Sequence, residues 1–169
     1  VDVLTLAGGT INVGAGSQFM VDILNASGSS DIFVQGAGGN ILYSKFNSIL
    51  MADASTSLTL RGTNTANVYV GTEAVTTPSP LWIFRGGTLT IAEGAAGESF
   101  TLNVGQERQG QAPDSISLEP QRANIVVDGD NATLFIGENA EFIKRPDTDC
   151  TITLNNGGKL AVDVNGTFL

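Results

Sequence analysis

The sequence predicts an all-β protein, and three observations predict it. Ser, Thr, Asn, Gly and Val dominate, and these residues disfavour helix interiors or favour strands and turns. No stretch carries apolar residues at i, i+3, i+4 and i+7 over three turns, so the helical period is missing. Short β-type runs recur instead between turn residues along the whole chain.

Taken in order, Val3–Leu6 and Ile11–Val13 stand on either side of Gly8-Gly9. Phe19–Leu24 follows a Gly/Ser turn, and Asp31–Val34 follows Gly28-Ser29-Ser30. Leu58–Leu60 and Val68–Val70 flank a Gly/Asn/Thr segment. Leu81–Phe84 opens after Pro78-Ser79-Pro80, and Thr88–Ile91 opens after Gly86-Gly87. Phe100–Val104 follows Gly94-Ala95-Ala96-Gly97, and Ile116–Leu118 lies between Pro113 and Pro120. Ile125–Val127 and Thr133–Ile136 bracket Asp128-Gly129-Asp130-Asn131; Thr151–Leu154 and Leu160–Val164 bracket Asn155-Asn156-Gly157-Gly158. The best helical candidate is Ser44 to Ala54, with Phe46, Ile49, Leu50 and Met51; it reads as a loop or irregular strand with one helical turn. The polar segments Gln106 to Asp114 and Val75 to Pro80 read as loops projecting from a β body.

A degenerate repeat links these runs. Thr10 to Phe19 aligns with Thr88 to Phe100, with Thr133 to Phe142 and with Lys159 to Phe168. The shared form is a short strand, a Gly/Asn turn that supplies positive φ, then a Phe opening the next strand. Breaks at Val3, Asp31, Ser57, Leu81, Ile116 and Thr151 give about six units of roughly 25–35 residues, a period typical of solenoids and arrays. The expected architecture is a β-solenoid of about six irregular coils in one domain, residues 1–169, with an irregular region 1–80 and a clearer repeat region 81–169. A β-sandwich or jelly roll fits the same short strands and stays open as the alternative.

The segments Gly86-Gly87-Thr88-Leu89-Thr90-Ile91 and Asn155-Asn156-Gly157-Gly158-Lys159-Leu160-Ala161-Val162 carry a resemblance. They look like the parallel β-helix class of phage tail fibres and tailspikes, secreted adhesins and pectate-lyase-like enzymes. The resemblance covers 81–169, and 1–80 more loosely.

Composition narrows the function. Charged residues are 15%, with 17 acidic against 8 basic residues and a net charge of -9. Low charge with 41% apolar residues is the opposite of a disorder signature. An acidic surface repels a polyanion, so no nucleic-acid partner is expected. There is no His, which removes Ser-His and Cys-His catalysis and His-metal sites. The single Cys150 permits no internal disulfide or Cys-cluster metal site and reads as a small buried hydrophobe. The longest apolar runs, Leu81–Phe84 and Ile49–Ala52, are far short of a membrane span. The chain begins at Val1 without a signal-peptide pattern, as expected of a removed initiator or a trimmed longer protein.

Acids are therefore the main catalytic option. Asp128 with Asp130, and Asp147 with Asp149, are the two tight clusters. Paired carboxylates could hydrolyse a glycoside or hold Ca²⁺. The resemblance to pectate-lyase-like enzymes implies acids on neighbouring coils with an Arg or Lys base, and Arg122, Lys144 and Arg145 lie near. The plainer reading is that both clusters are turns, since Asp-Gly-Asp-Asn and Pro-Asp start corners. Glu93 and Glu98 flank a Gly-rich loop that lacks the Gly-Lys-Ser/Thr of a phosphate cradle, and Gly36-Ala37-Gly38-Gly39 fails the dinucleotide test. Tyr43, Tyr69 and Trp82 could stack on sugars or pack in a core or interface. Asn25, Asn131 and Asn165 match the glycosylation sequon, as chance allows in an Asn/Ser/Thr-rich chain.

Several strands are continuously apolar: Ile32-Phe33-Val34, Leu81-Trp82-Ile83-Phe84, Ile125-Val126-Val127 and Leu134-Phe135-Ile136. Such strands read as buried on both faces, by a second sheet or by a neighbouring subunit. Leu81, Trp82, Ile83 and Phe84 are the expected oligomer or partner interface. No cofactor is expected. The whole reads as a non-enzymatic structural virion protein, a capsid decoration or fibre/tailspike module, assembled as a homo-oligomer with a trimer favoured. Its expected partners are other virion or cell-surface proteins and a host glycan. The alternatives are a carbohydrate-binding or carbohydrate-cleaving β-helix and a fragment of a secreted bacterial adhesin, placing the chain outside the cell or at its surface.

Overall fold

The computed structural model describes residues 3–15, 17, 19–35, 44–51, 53–70, 80–84, 86–104, 114–118, 123–137, 140–144, 150–163 and 167–168; at 20, 22, 44–50, 67–70, 80–84, 114–118, 123, 140–144 and 167–168 the description is of the backbone. These residues form fifteen strands and no helix. The strands are β1 (Val3–Val13), β2 (Phe19–Gln35), β3 (Ser44–Met51), β4 (Ser57–Thr63), β5 (Ala66–Val70), β6 (Pro80–Phe84), β7 (Gly87–Glu93) and β8 (Phe100–Val104). They continue as β9 (Asp114–Leu118), β10 (Ala123–Asp128), β11 (Ala132–Ile136), β12 (Ala140–Lys144), β13 (Cys150–Asn155), β14 (Lys159–Val162) and β15 (Thr167–Phe168).

Every pairing among the described residues is parallel. The antiparallel pairs that build a sandwich or jelly roll are absent there. The register sorts the strands into three ladders. The first runs from residues 9–13 of β1 through residues 29–35 of β2 to β4, β7, β10 and β13. The second runs from residues 19–21 of β2 through residues 44–46 of β3 to β5, β8, β11 and β14. The third holds residues 3–7 of β1, 23–26 of β2 and 48–51 of β3, then β6, β9, β12 and β15. The chain visits the ladders in turn and returns to the first after 21 residues (Gly9 to Ser30) and, at the longest, 36 (Leu89 to Ile125).

Period-two patterning drives this arrangement, because successive side chains of a strand point to opposite faces. In β4 and β11, and in β7 as far as Ala92, buried and half-buried residues alternate strictly. The register then stacks like on like. Ile11, Ile32, Leu60, Ile91, Val127 and Leu154 form one row of the first ladder, and Leu102, Leu134 and Leu160 form one of the second. Interior members are buried, whereas Leu154 and Val162 on the last circuit are 50% and 42% exposed. At the first-to-second corner Phe100 is fully buried between Ala66 and Ala132, its partners on either side. Gly62 makes room for it: a Cβ there would collide with the Phe100 ring and with Ala66.

Four expectations change. Ser44–Met51 is a strand along its whole length, with no helical turn, because it pairs in register with β2. The runs Ile32-Phe33-Val34, Ile125-Val126-Val127 and Leu134-Phe135-Ile136 are not covered on both faces by a second sheet of the chain itself, since the middle residue of each is half-exposed. Cys150 is partly rather than fully buried, packed against the edge of the core. The repeat splits into two families. Thr133 pairs directly with Lys159 and Phe142 with Phe168, spanning the second-to-third corner. Thr10 to Phe19 and Thr88 to Phe100 span the first-to-second corner, and there the register aligns Thr10 with Thr90, two residues from the sequence alignment.

Candidate functional site

The side chains with most chemistry among the described residues gather at the corner between the first and second ladders, at the turns 64–65, 94–99, 129–131 and 156–158. The main chain of each turn bonds to the next. Gly94 N donates to Gly62 O at 2.6 Å, Ala66 N to Ser99 O at 3.2 Å, Phe100 N to Asn131 O at 3.0 Å and Gly129 N to Asn155 O at 3.2 Å.

Carboxylates complete this corner. Glu93 Oε1 accepts from Asn131 N at 2.8 Å, one circuit on, while its Oε2 accepts from Gly97 N at 3.0 Å within its own turn. Glu98 reaches one circuit back, where its Oε2 accepts from Asn64 N at 2.5 Å. That turn is strained, with Asn64 and Thr65 at φ 53 and 62, and Thr65 is β-branched. Asp128 Oδ1 accepts from Asn156 Nδ2 at 2.8 Å, and Asp130 packs against Gly157. Glu93 and Glu98 therefore satisfy main-chain amides of the turns, the role Asp and Glu play at helix N-termini, while Asp128 holds a side-chain amide of the next turn. Among the described residues no group of three or more His, Cys, Asp or Glu side chains could hold a metal ion.

Of the sequence-predicted acids, Asp128 and Asp130 share this corner, while Asp147 and Asp149 lie outside the described residues. So do Arg122, Arg145, Tyr43, Asn165, residues 36–39 and most of the two polar loops. Leu81, Trp82, Ile83 and Phe84 form β6, which pairs with β3 on one side and β9 on the other. The register sets Trp82 opposite Ile49 and Phe84 opposite Met51, which is fully buried. Asn25, in the first sequon, has a buried Oδ1 with no hydrogen-bond partner among the described residues.

Sequence reasoning missed one cluster. Arg61 binds Asp31 through two forks, Nε to Oδ1 at 3.0 Å and Nη2 to Oδ2 at 2.8 Å, and lies 4.6 Å over the Phe33 ring. Hydrogen bonding to Asp31 raises the Arg61 pKa further. The pair is 30 residues apart in sequence, so only the register, which sets Arg61 beside Phe33, brings it together. It pins two rungs of the outer first ladder. No protein-family model, curated protein or solved structure matches the chain. No helix among the described residues is long and apolar enough to cross a membrane.

Proposed function

We propose that the chain is a β-solenoid and a non-enzymatic structural protein of a virion, a capsid decoration or fibre/tailspike module that assembles as a homotrimer. One observation carries the reading: the ladders are continuous and parallel, and Glu93, Glu98 and Asp128, the best-placed acids, are engaged in joining circuits rather than facing an open cleft. Parallel ladders give a stiff rod, the form a fibre or cement subunit needs. Leu81, Trp82, Ile83 and Phe84 supply the contact between copies, because aromatic residues are enriched at interface cores and a closed oligomer buries the same patch from each copy.

Light scattering of the full chain at micromolar concentration tests this. A trimer mass is expected, falling in Trp82→Ser with the β-type circular dichroism retained. A monodisperse monomer of the unmodified chain refutes the assembly. Release of sugar from a panel of polysaccharides, abolished by Asp128→Asn, refutes the non-enzymatic reading and favours the carbohydrate-cleaving one.

A further inference from the structure

We infer that Asn156 is a site of spontaneous deamidation, and that its conversion is a one-way charge switch that loosens the last circuit. Asn156 and Gly157 form the turn between β13 and β14, both exposed and both at positive φ, 47 and 84. The turn is closed by Gly158 N donating to Asn155 O at 2.8 Å. Two features favour the reaction. Gly157 has no Cβ to shield its amide nitrogen, and none can be added, because Asp130 occupies that space. An L-residue at positive φ is also strained, and a rearranged backbone relieves the strain.

The chemistry needs only water. The Gly157 nitrogen attacks Asn156 Cγ, so an N–Cγ bond forms and the Cγ–Nδ2 bond breaks. Nδ2 leaves as ammonia, carrying the proton lost from the Gly157 amide. Water then opens the five-membered imide at either carbonyl, giving aspartate or isoaspartate. Nothing is oxidised or reduced. The outcome is set by what Asn156 faces. Its Nδ2 donates to Asp128 Oδ1 at 2.8 Å, tying the last corner to the one before it. Conversion removes the donor and puts a carboxylate against Asp128, with Asp130 packed on the next residue, so attraction becomes like-charge repulsion. Asn64 is a built-in comparison: it too sits at positive φ, but the next residue is the β-branched Thr65, which crowds the attacking nitrogen.

The test ages the full chain at mildly alkaline pH beside a free peptide of residues 151–162, followed by peptide mapping and isoaspartate labelling. Conversion at Asn156 but not at Asn64 is expected, with a falling Tm. Asn156→Gly, which tolerates the same φ, should hold its Tm on ageing. Asn156→Asp should start with the lowered Tm, and Asp128→Asn in that background should restore it. Retention of the Asn156 amide over a period in which the free peptide converts overturns the site. Conversion with an unchanged Tm, or a lowered Tm in Asn156→Asp that Asp128→Asn leaves unrepaired, overturns the switch. Asn165-Gly166 supplies a second Asn-Gly pair in the sequence, so the mapping must separate the two peptides.

Discussion

Replacing Phe100 with alanine should destabilise the protein by about 4–5 kcal/mol, the upper part of the range for Phe→Ala in a packed core. The reason lies in its neighbours. That cost depends on how far surrounding side chains can relax into the cavity. Here the residues stacked above and below are Ala66 and Ala132, and Gly62 faces the ring from the corner. None has a side chain long enough to move in. The backbone is equally constrained, since Phe100 N donates to Asn131 O at 3.0 Å and Gly94 N to Gly62 O at 2.6 Å. For a chain of this size each kcal/mol shifts Tm by about 2–4 °C, so a fall of roughly 8–20 °C is expected. Urea denaturation followed by circular dichroism gives the free energy directly. The double variant Phe100→Ala/Ala132→Leu should recover part of the loss by refilling the same column. A loss below about 1.5 kcal/mol would refute the reasoning, because it would place Phe100 at a site that collapses or was never closed.

Three further outcomes follow from the corner and its turns. Glu93→Ala should cost about 1–2 kcal/mol in chemical denaturation, since hydrogen bonds to a charged group contribute about 1.5–3 and this one is partly exposed; a loss within error would make the bridge incidental. Thr65→Gly should raise stability by about 1 kcal/mol, the usual penalty of an L-residue in the left-handed region less the added freedom of glycine, and a lowered Tm would contradict it. Asp53 is held below its ordinary pKa of 3.8 first by the Ser55 hydroxyl and then by the Ser55 amide. A depressed carboxyl stabilises above its unfolded pKa, and the contribution fades as pH falls through the folded value. Ser55→Ala should therefore lower Tm at neutral pH and have no effect at a pH below both pKa values; an equal effect at both would refute the ionic origin.

Much of the fold was legible because two-residue periodicity and Gly/Asn punctuation are local. Leu58–Leu60, Thr88–Ile91 and Thr133–Ile136 stand out from their neighbours by composition alone, and the structure makes strands of them. The extent of β12 was not legible: the repeat marked Phe142 as opening a strand, but Ala140-Glu141-Phe142-Ile143-Lys144 is short and ends in a charge, and its pairing with β9 supplies what propensity does not. Length was misread where Ala7 and Gly9 bulge, so two sequence runs are one strand, β1. The turn reading of Asp128 and Asp130 needed only local chemistry. The Glu93–Asn131 and Arg61–Asp31 contacts needed the register, since they join residues 38 and 30 apart that no spacing rule connects.

The rung-by-rung pairing of the ladders bears on how the molecule breathes. Each strand of a ladder rests on the strands one circuit before and after it, so resistance to opening is a sum over neighbours rather than a property of the whole chain. Amide exchange should then grade along the stack. The slowest protons belong to the middle rungs, around Leu89, Ile91, Ile125 and Val127, which are fully buried with a rung on either side. Among the described residues faster exchange is expected in β13 and β14, where Leu154 and Val162 are exposed. Opening would pass from one rung to its neighbour, and closing would use the adjacent intact rung as its template.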